Sequence, residues 1–424
     1  QALLGEDQTT AAGTAVAVAP TVLVLDEFSN PVSNIAVAFD VIQGDGRIIG
    51  AETQTNAQGQ ATVGQWILDI TPGINALRAR VLDSSLPAVA FNATGLVGPA
   101  AQLVIVTQPV AAGSGEALAT QPVIQIADQF GNLTDSTETI EARLTFEGED
   151  GVPGALSGTL QVTAVNGVAS FSDLVLTGVV AVGYEIEFSN ATLSVVTSEP
   201  MALLPGAPAG LLITLQPSAF AENEVVWPIQ PAVQVVDQSG NAVMQANIMI
   251  TAALASGAGE LSGTLQALTD ALGQAVFSDL SLPGLIGQRT LQFAAPGFAS
   301  VESNTITLQA GTATGLRVVR EPSSQVQSGV LLAEQPLLQV TDVSGNAAAQ
   351  AGVLVRVTLV SVDASPSASR STPQAEAVLS GTQVIETDAT GLAEFTDLMV
   401  TGTVKLGRRM RPRSFRSRRW CPGR

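Results

Sequence analysis

The chain has 424 residues, of which 46% are hydrophobic and 13% charged, enough apolar content for packed cores and too little charge for a disordered chain. It contains no histidine and one cysteine, Cys421, which excludes Ser-His-Asp and Cys-His catalysis, His-containing zinc sites, thiolate clusters and disulfide staples. The net charge of −19 is unevenly spread: nine of the 18 basic residues lie in the last 20 positions, so residues 1–404 carry nine basic residues against all 37 acidic ones and should repel nucleic acid and anionic lipid.

Short Val/Ile/Leu/Thr runs punctuated by Gly, Pro, Asn and Asp predict strands throughout, and long helical periodicity is absent. The apolar stretch 15–25 is broken by Pro20, and no run of about 18 apolar residues exists, so no membrane-spanning helix is expected. The chain starts at Gln1 with no basic leader, which reads as a processed product or a fragment. The clearest strand set lies in residues 100–207: candidates are 103–107, 123–127, 139–146, 159–165, 168–176, 184–188 and 194–204. Seven short strands in about 105 residues is the pattern of an immunoglobulin-like sandwich. Asn166-Gly167 between Val165 and Val168 predicts a two-residue hairpin whose turn positions both need φ > 0.

Three signposts then recur in the same order. An Asp followed by Gly-Asn appears at Asp128…Gly131-Asn132, Asp237…Gly240-Asn241 and Asp342…Gly345-Asn346, the glycines standing 109 and 105 residues apart. Leu-Ser-Gly-Thr starts at Leu156, Leu261 and Leu379, and Gly-x-Ala-x-Phe at Gly167, Gly273 and Gly391. A period this long means whole domains in tandem. The strand before each Asp carries a central Gln (Gln125, Gln234, Gln339) between aliphatic residues, predicting a half-buried strand with the Gln facing out. The expected domains are 1–99, 100–207, 208–312 and 313–404, joined by Gly/Ala/Pro-rich linkers at 95–100, 205–210 and 311–315. The fourth carries a Ser/Ala/Pro-rich loop insertion at 361–377. The fold class expected is all-β, tandem immunoglobulin-like β-sandwiches arranged as an extended rod of about 130–150 Å at strand rises of ~3.3 Å per residue.

Candidate sites are few. The Asp-x-x-Gly-Asn segments could be calcium ligands or turns; calcium wants about 6–8 oxygens and each offers one Asp and one Asn, so the turn is preferred. Trp66 and Trp227 could be carbohydrate platforms but sit in strand-like apolar context, so core packing is preferred, and Phe171, Phe277 and Phe395 recur at one repeat position as core. Asn92, Asn132 and Asn190 begin glycosylation sequons by pattern alone. No phosphate-binding Gly loop appears, and no residue is defensible as catalytic, cofactor-binding or metal-binding. The basic run 405–424 interrupts the fourth domain and reads as a frameshifted end, with a polyanion or membrane anchor as the alternative.

The first domain carries a family likeness. Pro20-Thr21-Val22-Leu23-Val24-Leu25-Asp26 leads to Ser29-Asn30-Pro31-Val32 and Val37-Ala38-Phe39, followed by Gly59-Gln60-Ala61, Trp66-Ile67-Leu68, Pro72-Gly73-Ile74-Asn75 and Leu77-Arg78-Ala79. This resembles the bacterial Ig-like repeats of the invasin/intimin type, with Ser29 in place of the usual turn Gly and Asp69 where a Gly often follows the Leu. Domains two to four look like a more divergent repeat of the same kind. The resemblance implies extracellular or cell-surface stalk modules of an adhesin-like protein. It also implies that the first strand of domain one is missing and that domain four is truncated before its last two strands. The expected partners are the other domains of the same polypeptide, then a host or cell-surface protein or glycan. Three functions stay open: a structural stalk, a glycan- or protein-binding module using a sandwich face or the 361–377 loop, and an accessory region of an extracellular enzyme.

Overall fold

The computed structural model describes residues 1–145, 154–360 and 377–402. Among these there is no helix, so none is long and apolar enough to cross a membrane. The chain divides into two compact units, Gln1–Ala207 and Pro208–Arg424. Each unit holds two hydrophobic clusters with their own sheets, termed modules below.

In the first unit, module one faces a three-stranded sheet (Ala2–Leu4, Thr21–Leu23, Gln60–Thr62) against a five-stranded one (Gln8–Ala11, Val89–Leu96, Gly73–Val81, Ala36–Gln43, Glu52–Gln54). Alternation sets the core: in Val89–Leu96, Phe91, Ala93 and Gly95 point in and their neighbours point out. Trp66, Leu77 and Phe91 are fully buried at its centre. Module two repeats the plan with Gln102–Thr107, Val123–Ala127 and Val168–Ser170 against Gln161–Thr163, Thr139–Leu144, Ile186–Ser189 and Val196–Thr197. Phe171 and Phe188 meet across its core at 5.5 Å in a tilted arrangement, a favoured geometry for aromatic pairs.

In the second unit, module three sets Gly210–Leu215, Ala232–Val236 and Gln274–Val276 against a six-stranded sheet centred on Gly287–Ala294. Phe277 and Phe293 repeat the aromatic contact at 5.4 Å. Module four keeps the three-stranded sheet (Gly315–Arg320, Leu337–Thr341, Leu392–Glu394), with the pairs Leu354–Arg356/Val384–Glu386 and Val378–Ser380/Met399–Thr401.

The recurring runs have local physical reasons. Gly273 and Gly391 adopt φ of +79° and +77°, and a Cβ on either would lie 1.9 Å from a backbone carbonyl oxygen, of Val243 and Ala348 respectively. The Thr of each Leu-Ser-Gly-Thr run closes onto the Asp two residues after the core Phe. Thr159, Thr264 and Thr382 each give a backbone N–H and a hydroxyl to Asp173, Asp279 and Asp397, at 2.8–2.9 Å. Those donors hold the three carboxyls below the usual carboxylate range. The predicted hairpin forms, with Asn166 and Gly167 at φ +51° and +76° and Val165 bonded to Val168.

Three expectations need correction. The first strand of module one is not missing: Ala2–Leu4 pairs with the Thr21–Leu23 strand across the same irregularity seen in Gln102–Thr107. The long candidates 168–176, 184–188 and 194–204 each break in two, because Val168–Ser170 pairs with Val123–Ala127 whereas Val175–Thr177 crosses to Glu116–Ala117 and Ala155–Ser157. The Gln of the repeated strand does not face solvent in modules three and four. Gln234 and Gln339 are buried, their amides donating to the carbonyls of Leu272 at 2.9 Å and Thr390 at 3.0 Å. The 361–377 loop (Ala377 apart) and the basic run lie outside the described residues.

Candidate functional site

The Asp-x-x-Gly-Asn segment is a turn whose Asp carboxylate is filled by N–H donors. Asp128 Oδ1 accepts the backbone N–H of Phe130 at 2.9 Å and Asn132 at 3.0 Å, and Asn132 Nδ2 donates to Oδ2 at 2.9 Å. Asp237 and Asp342 repeat these bonds with Asn241 and Asn346. The same turn forms at Asp26, whose oxygens accept from Phe28 and Asn30 even though Ser29 takes the glycine position at φ +68°. The Asp26 turn is exposed, whereas Asp128, Asp237 and Asp342 are buried. Local sequence therefore suffices for the turn, and something else covers the later ones.

Within each unit that cover is the preceding module and the linker. In the first unit Gly98 of the linker donates its N–H to Asp128 Oδ2 at 3.0 Å. Asn132 Nδ2 reaches back to the carbonyl of Ile70 in module one at 2.8 Å. The Phe130 ring lies over Gly13, where a Cβ would fall 2.4 Å from the ring. In the second unit the pattern repeats with more polar partners. Gly311 donates to Asp342 Oδ2 at 3.1 Å, and Asn346 Nδ2 donates to the carbonyl of Gly284 at 2.8 Å while its Oδ1 accepts from Ile286 N–H at 2.9 Å. Asn223 Nδ2 donates to Asp342 Oδ2 at 2.8 Å and to Ser344 Oγ at 2.9 Å.

The two joints are built at equivalent positions. Ile70 and Gly284 each stand three residues before the strands Gly73–Val81 and Gly287–Ala294. Ala12 and Asn223 each follow a strand paired in parallel with the module's last strand, donating N–H to Leu96 and Gln309 carbonyls. So Phe130 over Gly13, the residue after Ala12, in one joint is replaced by Ser344 on Asn223 in the other.

Burial would raise the carboxyls of Asp128 and Asp342, but the Asn amide, linker N–H and turn N–H donors outweigh it and hold both below their ordinary 3.8. Carboxylates already saturated with N–H donors are poor cation ligands. Among the described residues no group of three or more Cys, Asp or Glu could hold a metal ion.

Trp66 and Trp227 lie in the cores, 0% and 3% exposed, with both indole N–H groups buried and without an acceptor. They present no face to a sugar. The amide of Asn132, the middle sequon, is consumed by the joint. Sequence reasoning placed the turns but missed Asn223, Ile70 and Gly284, whose role exists only once the modules dock.

The family model of the carboxypeptidase regulatory-like domain matches residues 232–320, about a fifth of the chain, spanning most of module three and the first strand of module four. No curated protein matches by sequence. Among solved structures the chain is similar to invasin-type adhesins, the type the motifs of module one resemble. One is FdeC, an adhesin of Escherichia coli, 16% identical over 74% of this chain and 99% of that one, with a TM-score of 0.32. Another is invasin, a bacterial integrin-binding protein, 13% identical over 96% and 76%, TM-score 0.31. A third is InvD of Yersinia pseudotuberculosis, 14% identical over 72% and 96%, TM-score 0.28.

Proposed function

We propose that this chain is a spacer segment of a large secreted or surface-displayed bacterial protein, adhesin-like, made of Ig-like modules at 1–99, 100–207, 208–312 and 313–404. Its work is mechanical: each module folds on its own core, and within each unit the Asp-x-x-Gly-Asn turn of the second module locks it to the first. The observation that carries this reading is the double use of that turn. Its Asp takes a linker N–H and its Asn takes a carbonyl of the preceding module, at Gly98 and Ile70 in one joint and at Gly311 and Gly284 in the other. A flexible tether needs no such bonds. The acidic body suits a partner-repelling spacer better than a polyanion binder.

The test is a distance distribution across a joint. Cys421 is changed to Ser, and spin labels are placed at the exposed Leu272 and Glu386 in the full chain. Pulsed electron resonance should give a narrow, single distribution at neutral pH. A broad distribution, like that of a freely hinged pair, would overturn the spacer reading.

A further inference from the structure

In modules one to three, one inward position near the start of a core strand is filled by a buried polar side chain, of a different kind in each. The strand Gly73–Val81 begins with glycine at φ +152°, and two residues later Asn75 points inward, 1% exposed. The strand Gly287–Ala294 begins with glycine at φ +148°, and two residues later Arg289 points inward, 5% exposed, on the same face as Leu291 and Phe293. In module two the inward residue two before Ile186 is Tyr184, fully buried. Strand alternation would put an aliphatic residue at each place.

Each of these side chains grips the backbone of the loop before its strand. Asn75 Oδ1 accepts the N–H of Asp69 at 2.9 Å, Tyr184 donates its hydroxyl to the carbonyl of Val179 at 2.8 Å, and Arg289 Nη2 donates to the carbonyl of Leu285 at 2.7 Å. A glycine across the core makes room in each case. A Cβ at Gly44 would lie 2.6 Å from Asn75 Oδ1, one at Gly154 2.7 Å from Tyr184, and one at Gly257 2.3 Å from Arg289 Cδ. Arg289 has a high desolvation cost: its guanidinium is buried with carbonyl partners at Gln288 and Leu285, and its Nε has none.

The gripped residues adjoin the joint contacts. Asp69 precedes Ile70, whose carbonyl takes Asn132. Leu285 lies between Gly284, which offers its carbonyl to Asn346 and its N–H to Asn223, and Ile286, which offers its N–H to Asn346. We infer that Asn75 and Arg289 are the positioning residues of the two joints, holding each docking loop in the orientation that the Asn of the next turn recognises. This deepens the spacer reading and rests on it. A rigid loop presents its carbonyl without first being ordered, so docking costs less entropy. The residue types differ between modules, so each joint has its own support.

The test uses the full chain with spin labels across each joint: Leu272 and Glu386 for the second, the exposed Gln58 and Glu141 for the first. Asn75→Leu and Arg289→Met should each widen the distribution across their own joint and leave the other narrow, with the docked-to-undocked ratio falling about tenfold, the loss of one hydrogen bond. Each should be non-additive with Asn132→Ala or Asn346→Ala in the same joint, because both act through one loop. Arg289→Lys, which keeps a donor near the Leu285 carbonyl, should recover part of the narrow population, and it serves as the readout should Arg289→Met not fold. A merely structural role would lower the melting temperature and leave the distribution narrow, which would overturn the inference. If Asn132→Ala and Asn346→Ala themselves leave the joints narrow, the spacer reading's account of the joint fails instead.

Discussion

Replacing Asn223 by Ala tests the second joint without disturbing the fold, because Ala12 already occupies the equivalent place in module one. Asn223 is 4% exposed, and its Nδ2 makes two bonds across the joint, to the Asp342 carboxylate at 2.8 Å and to Ser344 Oγ at 2.9 Å. A bond to a charged group contributes about 1.5–3 kcal/mol and a neutral one about 1. The joint should therefore lose about 3 kcal/mol, or about a hundred-fold in the ratio of docked to undocked forms. The third bond, from Gly284 N–H to Asn223 Oδ1, stays within module three. Its loss should lower that module's stability by only about 1 kcal/mol. The assay pairs the Leu272–Glu386 distance distribution with calorimetric melting of the same protein. A broadened distribution with a small melting shift is expected. A large melting shift with an unchanged distribution would show that Asn223 supports the module and not the joint, and the reasoning would be refuted.

Acid should open both joints. Asp128 and Asp342 have carboxyls lowered in the folded state, so their contribution is fully present above the ordinary value of 3.8 and is lost as pH falls through the lower folded value. Distance distributions recorded from pH 7 down to about 2.5 should stay narrow through pH 5 and broaden only below the ordinary carboxyl range; broadening near pH 6 would contradict this. Gly273→Ala places a Cβ 1.9 Å from the Val243 carbonyl at φ +79° and should cost about 2–4 kcal/mol, read as a fall in the melting temperature of module three. Trp227→Phe should be nearly neutral, within about 1 kcal/mol, since it removes an indole N–H that has no acceptor, whereas Trp227→Ala should cost about 3–5.

The fold was largely legible in the sequence because its signals are local. Alternation placed the strands Val123–Ala127 and Gln102–Thr107, and Asn166-Gly167 determined a hairpin, since φ > 0 at two successive positions leaves few other turns. Strand lengths were less legible. Residues 168–176 read as one run because periodicity does not record when the backbone leaves one sheet for the other. Gln234 and Gln339 were misplaced for a related reason. A polar residue on a strand reads as outward, and only the carbonyls of Leu272 and Thr390 folding over it explain its burial.

The joint divides along the same line. The Asp-x-x-Gly-Asn turn was determined by sequence alone: five residues close it, the carboxylate taking N–H donors two and four positions ahead, and it forms at the exposed Asp26 as well as at the buried sites. Its use as a lock was decided only by tertiary structure. Asn132 meets Ile70 across 62 positions and Asn223 meets Asp342 across 119, separations at which no periodicity or motif spacing carries information. Asn75, Tyr184 and Arg289 share one place and one task with three unlike side chains. Each reaches a different loop backbone group, and that distance is set by packing, not by the neighbouring residues.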